Sequence, residues 1–366
     1  MGRRQRRKDG ALLYGAYGYT GRLLAEAALR QGVPLTLAGR REEPLAALGR
    51  ELGLPVRAFA LDDPALVAAE IAPFSALFLA AGPFSATSAP AVDACLRTGT
   101  HYLDVTGEID VFEAVFAREA EARKAGVALL PGCGFDVVPS DGLAALLSKA
   151  LPGACRLVLA FRGFKASAGT MRTMLEGLPN GGRARKDGRL VKVPAAWKTR
   201  TVAFSDKPRL CMTIPWGDLS TAFRSTGIPD IETYMSVPPW FVTATRLSRP
   251  VAPLAGLAPV KAFLARRVAA GAEGPTAEER ARERSQLWGR VEDGGGRSAE
   301  ATATAPEGYA LTAEAGAACL LRVLRGEVPP GAFTPSQAFG GGFLRTLPGT
   351  TITVGSVREG GGRPES

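Results

Sequence analysis

Histidine occurs once in this chain of 366 residues, at His101, and cysteine five times. The cysteines (Cys95, Cys133, Cys155, Cys211 and Cys319) form no Cys-x-x-Cys pair and stand far apart. One histidine and no paired cysteines argue against a transition-metal site, so no metal is expected. The scattered thiols read as reduced, which suits a cytoplasmic protein. Aromatic residues are scarce, at 7%, and no aromatic-basic stripe or nucleic-acid motif accompanies them, so no nucleic-acid partner is expected. Long apolar runs are missing too. The tract 240–270 is broken by Arg246, Arg249, Pro250 and Pro253 and is too interrupted to span a bilayer. The basic residues near Met1 are followed by no apolar stretch, which argues against a secretory signal, and Arg6 stands where a myristoylation signal needs Ser or Thr.

Charge is lopsided: the net value is +10. Arg3, Arg4, Arg6, Arg7 and Lys8, less Asp9, supply +4 of it within ten residues. The rest is scattered, which a basic channel for acidic or phosphorylated ligands explains as well as nucleic acid does. The length allows two domains and a sizeable core.

The most informative segment runs from Leu12 to Arg22, with Gly15, Gly18 and Gly21 spaced G-x-x-G-x-x-G. An apolar run ends at Gly15, and Leu23, Leu24, Ala27 and Ala28 then recur at helical spacing. This reads as a strand, a glycine turn and a helix starting near Thr20. Gly15 turns the chain, Gly18 lets backbone approach a pyrophosphate, and Gly21 lets helix and strand pack closely. The helix start offers amides to an anion. A second strand, Leu35 to Gly39, ends in Arg40 and Arg41. An acid there would suit the ribose hydroxyls of NAD, whereas arginine suits the extra phosphate of NADP. The cofactor candidates are therefore Gly15, Tyr17, Gly18, Tyr19, Thr20, Gly21, Arg40 and Arg41. Asp62, at a third strand end, and the small-residue turn Ala81, Gly82 and Pro83 join them, and the cofactor is NADP(H).

Strand-like and helix-like segments alternate from residue 11 to about 140, which implies a Rossmann-like, doubly wound parallel sheet in an α/β fold. Strands are expected near Pro55–Phe59, Ala76–Phe84, His101–Val105 and Val127–Leu130, and helices over Ala89–Thr98 and Asp110–Lys124. From Leu157 the pattern shifts to β-like stretches at Arg156–Phe161, Val202–Phe204 and Ile231–Val237. These suggest a second α+β domain with a mixed, mainly antiparallel sheet. Asn180-Gly181-Gly182 and Asp293–Gly296 mark turns, Gly274–Gln286 reads as a charged helix, and Thr312–Leu324 as an apolar one. The expected organisation is a basic disordered tail (1–10), an NADP-binding domain (11–150), a substrate or dimerisation domain (151–325), a C-terminal segment returning to the first domain (326–358) and a disordered tail (359–366).

With these segments in place, the chain resembles the saccharopine dehydrogenase-like oxidoreductases from Ala11 to about Gly349. The resemblance rests on Gly15–Gly21, Leu37-Ala38-Gly39-Arg40, Ala81-Gly82-Pro83-Phe84, Tyr102–Glu108 and Gly132–Asp141. It also rests on Ser167-Ala168-Gly169-Thr170, Pro215-Trp216-Gly217-Asp218, Gly308–Thr312 and Thr334-Pro335. Within the family it is similar to the branch that holds trans-acting enoyl reductases of polyketide lipid synthesis. The resemblance implies an NADP-binding domain, a substrate domain built on a mixed sheet, and often a dimer. Its members reduce imines formed from amino acids or enoyl lipids.

A reductase needs a hydride donor, a dry pocket and a group to protonate the acceptor. The candidate catalytic residues are Cys133, Asp136 and Tyr102. Ser140 and Asp141 read as N-caps of a helix beginning near Gly142, and His101 as structural. An imine carrying carboxylates would call for convergent arginines, with Arg162, Arg172, Arg209 and Arg224 available. An enoyl lipid, free or carrier-bound, would call for an apolar tunnel, with Phe241 and Phe263 in an apolar tract. Three readings stay open: an enoyl reductase, a saccharopine-type imine reductase, and a non-catalytic NADP-binding or membrane-associated scaffold. The tract 240–270 reads as packed core or dimer contact, with a lid or peripheral membrane contact as the alternative.

Overall fold

A computed structural model of the chain describes residues 9–162, 167, 171, 181–250, 252, 257, 260 and 274–359. Both tails, Ala168-Gly169-Thr170, Arg172, Asn180 and most of 251–273, including Phe263, lie outside the described residues. The chain forms two compact units. The first runs through Thr106 and takes up Asp110–Gly134 and Thr312–Phe333; the second holds Gly107–Ile109, Phe135–Leu311 and the chain from Thr334 on.

The first unit is a seven-stranded sheet. Its strands are β1 (Asp9–Tyr14), β2 (Leu35–Gly39), β3 (Val56–Ala58), β4 (Phe74–Leu79), β5 (His101–Asp104), β6 (Ala128–Leu130) and β15 (Gly331–Ala332), in the order β15-β6-β5-β4-β1-β2-β3. Every pair is parallel, with Tyr14 opposite Ala38 on one side and Leu79 on the other. Leu12, Leu13, Leu37, Leu77, Phe78 and Leu79 are fully buried. Continuous apolar runs of this kind are what strands covered on both faces require. The helices are α1 (Tyr19–Arg30), α2 (Glu42–Leu52), α3 (Pro64–Ile71), α4 (Phe84–Thr98), α5 (Ile109–Ala117) and α6 (Glu119–Ala125). The expected single helix over Asp110–Lys124 is broken at Arg118, and α4 begins five residues before its expected start at Ala89. The sheet order reverses direction at β1, where ligands bind in open α/β sheets.

The second unit holds α7 (Val138–Ala150), β7 (Ala154–Arg162), β8 (Gly182–Lys186), β9 (Arg189–Val193), β10 (Thr199–Ala203), β11 (Pro208–Thr213), α8 (Asp218–Thr226), β12 (Asp230–Ser236) and α9 (Pro239–Ser248). It continues with α10 (Ala277–Arg282), β13 (Arg284–Asp293), β14 (Ser298–Pro306), the start of α11 (Gly308–Leu324), α12 (Pro335–Phe339) and β16 (Thr351–Val354). Its sheet runs β10-β11-β12-β7-β13-β14-β16, with β8 on β12 and β9 on β8. Only β7 and β12 pair in parallel among the described strands, so the sheet is mixed and mainly antiparallel. Helix α7 packs on β13, and Gly289 of β13 permits the approach. A Cβ there would meet Leu147 Cδ1 at 2.8 Å.

Two local expectations change. The charged helix expected over Gly274–Gln286 is only α10, closed at its start by a Thr276–Glu279 capping box. From Arg284 the chain is strand, because Arg284–Val291 pair with β14, and Leu287–Val291 also with β7. Helix α7 starts at Val138, not near Gly142, so Ser140 and Asp141 are not N-caps but lie inside its first turn. Among the described residues no helix is long and apolar enough to cross a membrane.

Candidate cofactor cradle and acid centre

The glycine turn after β1 is closely packed. Gly15 takes φ +88°, and a Cβ on it would meet the Ala80 carbonyl carbon and the Ala81 nitrogen at 2.8 Å. Its own N–H donates to the Ala38 carbonyl at 2.9 Å, and Gly18 N–H returns to the Gly15 carbonyl at 3.0 Å. A side chain on Gly21 would run into that carbonyl and lie 2.9 Å from Ala16 Cα. The turn therefore demands glycine at positions 15 and 21. Gly18 caps α1 with extended backbone and no side-chain bond, and the first turn, Tyr19 and Thr20 included, carries no acid. An uncapped helix start without a carboxylate suits an anion.

Beyond β2, Arg40 and Arg41 are both exposed. The Tyr17 ring lies over Gly39, where a Cβ would sit 2.5 Å from Cε1, and the Arg41 guanidinium stands 5.1 Å over the same ring. Burial opposes the shift, but Arg41 and then Arg40 draw the Tyr17 phenol below its usual range. Among the described residues Arg40 makes no salt bridge. Asp62 is exposed, and its neighbour Asp63 caps α3 through Ala65 N–H at 2.8 Å. Ala81, Gly82 and Pro83 follow β4, with the Ala81 carbonyl accepting from Thr87 Oγ1 at 2.6 Å. A Cβ on Gly82 would meet nothing nearer than 3.6 Å, so that glycine is not demanded by its own surroundings. The cradle fits a phosphorylated dinucleotide: backbone close to the pyrophosphate, and cations with no acid at the end of β2.

Tyr102 and Cys133 are sealed in the same unit. The Tyr102 hydroxyl donates to Asp104 Oδ2 at 2.6 Å, while Asp104 Oδ1 accepts from Thr106 N–H at 2.9 Å and Gly132 N–H at 2.8 Å. Burial, and then Asp104, push the Tyr102 phenol well above its usual range. The Cys133 thiol points to the Leu130 carbonyl at 3.1 Å, and burial holds it well above the usual thiol range, with Cys319 beside it. A thiol so held stays protonated and inert. His101 Nδ1 accepts from Ala128 N–H at 2.9 Å, joining neighbouring strands.

Asp136 belongs to the second unit and differs from both. Its carboxylate packs against Gly107, where any side chain would collide with it. Its carbonyl accepts from Trp216 Nε1 at 3.0 Å. Trp216 leans on Phe161 at 4.6 Å, and Phe161 meets Phe135 edge-on at 5.9 Å. Desolvation pushes the Asp136 carboxyl up to about 7, yet the residue keeps part of its surface open. Two fully buried carboxyls stand near it. Asp141 accepts from Ser225 Oγ, and from Ser336 N–H at 3.3 Å. Asp218 opens α8 within 3.5 Å of Thr221 Oγ1. Burial raises both, and for Asp218 the neighbouring Asp141 and Asp136 raise it further. Among the described residues no three His, Cys, Asp or Glu side chains are grouped to hold a metal. Sequence reasoning nominated Asp136 but not Gly107, Trp216 or Asp218, although all three stood inside the quoted segments. What was missing is the fold that brings residues 80 positions apart into contact.

A parallel sheet reversing at β1, with an uncapped glycine turn and paired arginines, defines a Rossmann-type dinucleotide-binding protein. Residues 11–130 match the family model of the saccharopine dehydrogenase NADP-binding domain. The trans-acting enoyl reductase of Mycobacterium leprae is 33% identical over 144 residues, which are 37% of this chain and 34% of that protein. A trans-acting enoyl reductase of Mycobacterium tuberculosis is 32% identical over 143 residues, 36% of this chain and 33% of that one. These matches thus span about a third of the relatives' length. Among solved structures, saccharopine dehydrogenase (L-Glu forming) of Saccharomyces cerevisiae superposes with TM-score 0.62 at 15% identity, over 95% of this chain and all (100%) of that one. Homospermidine synthase of Legionella pneumophila with NAD superposes with TM-score 0.57 at 10% identity, over 92% and 88%. At such identities the likeness is one of fold.

Proposed function

We propose that the protein is an NADPH-dependent reductase of an enoyl, lipid-like substrate carried as a thioester. The observation that carries this reading is Asp136, an acid titrating near neutrality beside Phe135, Phe161 and Trp216, in a chain whose other unit is an NADP-binding domain. The bound nicotinamide supplies a hydride. Reduction of an enoyl thioester places that hydride on the β-carbon and leaves an enolate, which must take a proton on the α-carbon. Asp136 in its acid form donates that proton, and its open surface lets water restore it. The aromatic side chains keep the surroundings apolar, which suits an acyl chain. The named relatives act as enoyl reductases, which supports the same chemistry. The amino-acid imine alternative is less well supported. It calls for unpaired arginines to hold carboxylates, and Arg209 is tied to Asp206 at 2.5 Å. The test is NADPH oxidation with enoyl thioesters set against a keto acid paired with an amine. Turnover of the thioester is expected; turnover of the imine-forming pair alone would overturn the reading.

A further inference from the structure

Among the described strands, β3, β9, β10, β15 and β16 each have a neighbour on one side only. Such an edge offers unpaired backbone groups to another chain, and proteins guard it with charge, proline or brevity. Four of these edges are guarded. Strand β3 has three residues and carries Arg57, and β15 has two and follows Pro329 and Pro330. Strand β9 carries Arg189 and Lys192, and β10 carries Arg200. Strand β16 is different: no charged residue stands between Arg345 and Arg358. Its residues, Thr351-Ile352-Thr353-Val354, are all β-branched, the type that packs well on a pleated surface.

The two faces of β16 set what can be added to it. Ile352 and Val354 stand opposite buried Ala303 and Ala301 of β14 and continue that apolar face. Thr351 and Thr353 stand opposite Thr304 and Thr302 and are exposed. An added strand must be apolar beside the first pair and carry hydroxyls beside the second. The segment itself has that alternation. We infer that β16 pairs antiparallel with β16 of a second copy, joining the two sheets edge to edge. The register that sets Ile352 opposite Val354 of the second copy also sets Thr353 opposite Thr353, so like meets like on each face. The contact uses the same patch on both copies, so it closes as a dimer and leaves neither edge open. Charge selects the same occupant. A chain of net charge +10 would draw an acidic strand through cations on the edge, and β16 has none. Two copies meet there without opposed like charges. The inference does not depend on the hydride chemistry above.

The test is sedimentation equilibrium of the full chain over a range of protein concentrations at low and high salt. A dimer that forms with rising concentration is expected, and salt should strengthen it by screening the net charge of the two copies. Thr353→Lys sets two cations against each other at the two-fold axis and should raise the dissociation constant by about tenfold or more. Thr353→Val keeps a β-branched side chain there and should leave it nearly unchanged. A chain that is monomeric at every concentration would overturn the inference, and so would a dimer that Thr353→Lys leaves intact. If the lysine variant does not fold, hydrogen exchange of the unsubstituted chain decides. Protection at Thr351–Val354 that is lost on dilution is expected, and exchange there that ignores concentration would overturn the inference.

Discussion

Arg40 and Asp136 illustrate how differently single residues can be read. Arg40 is legible locally, because a strand followed by arginine places a cation where an adenosine phosphate would lie. The structure adds that Arg41 is engaged with Tyr17, so Arg40 is the better candidate for holding such a phosphate. Arg40→Asp should therefore weaken NADPH binding by about 1–3 kcal/mol, the cost of one charge-assisted contact, and weaken NADH binding far less. Fluorescence titration of both cofactors checks this, and equal weakening would remove Arg40 from the site. For Asp136 the sequence offered only a carboxyl in a glycine-rich turn. Burial raises its carboxyl, and its contacts with Gly107 and Trp216 are ones that no local pattern announces. Because the acid form donates, turnover should be full below pH about 7 and decline above it. Asp136→Asn should lower kcat by roughly 100-fold or more and abolish that limb. A retained limb in the Asn variant would assign the acid role to another group.

Elements were more legible in kind than in extent. The alternating apolar segments from β1 to β6 announced their type because parallel strands must be apolar on both faces. Boundaries depended on contacts the sequence does not display. Arg284 and Ser285 look like the end of a charged helix, yet both pair with β14 and become strand. Val138 rather than Gly142 opens α7, which turns Asp141 from a cap into a buried partner of Ser225 and Ser336. Glycines inside helices show the same dependence on surroundings, with opposite signs. Gly142, within α7, has room: a Cβ would stand 3.5 Å from the Gly341 carbonyl and 3.8 Å from Leu344 Cβ. Gly142→Ala should raise stability by roughly 0.5–1 kcal/mol through helix propensity. Gly316, within α11, has none: a Cβ would meet Leu24 Cδ1 at 2.8 Å and Phe78 Cζ at 3.0 Å. Gly316→Ala should cost about 1–3 kcal/mol by overpacking. Urea unfolding of the pair checks both, and a shared sign would contradict the packing argument.

At the scale of the whole molecule, the fold class was readable from its rhythm, whereas β15 was not, since two residues, Gly331 and Ala332, carry no periodicity. Nor does composition reveal that acids collect in the interior. Burial raises Asp136, Asp141, Asp218 and Glu307 above their usual range. Each binds its proton more tightly folded than unfolded, so its contribution is fully present below the unfolded value, near pH ~4. It is lost as pH rises through the folded value, about 7 for Asp136. Acids shifted the other way are Glu121, held down by Arg118, Asp293, held down by Arg297, and Asp206 and Glu232, where burial opposes the shift but Arg209 and Lys198 respectively hold the carboxyl down. Their contribution is present above the unfolded value, near pH ~4, and lost only on acidification below it, so it does not change between pH ~5.5 and ~8, and the exposed pairs of Glu121, Asp206 and Asp293 contribute little in any case. The interior acids therefore dominate, and the thermal midpoint should be higher near pH ~5.5 than near pH ~8. Melting across that range checks the direction. Asp136→Asn and Asp218→Asn should each flatten the decline, because an amide has no proton to lose. A midpoint that instead rises toward pH ~8 would show that these carboxyls are ionised in the folded protein, and Asp136 would then have no proton to give.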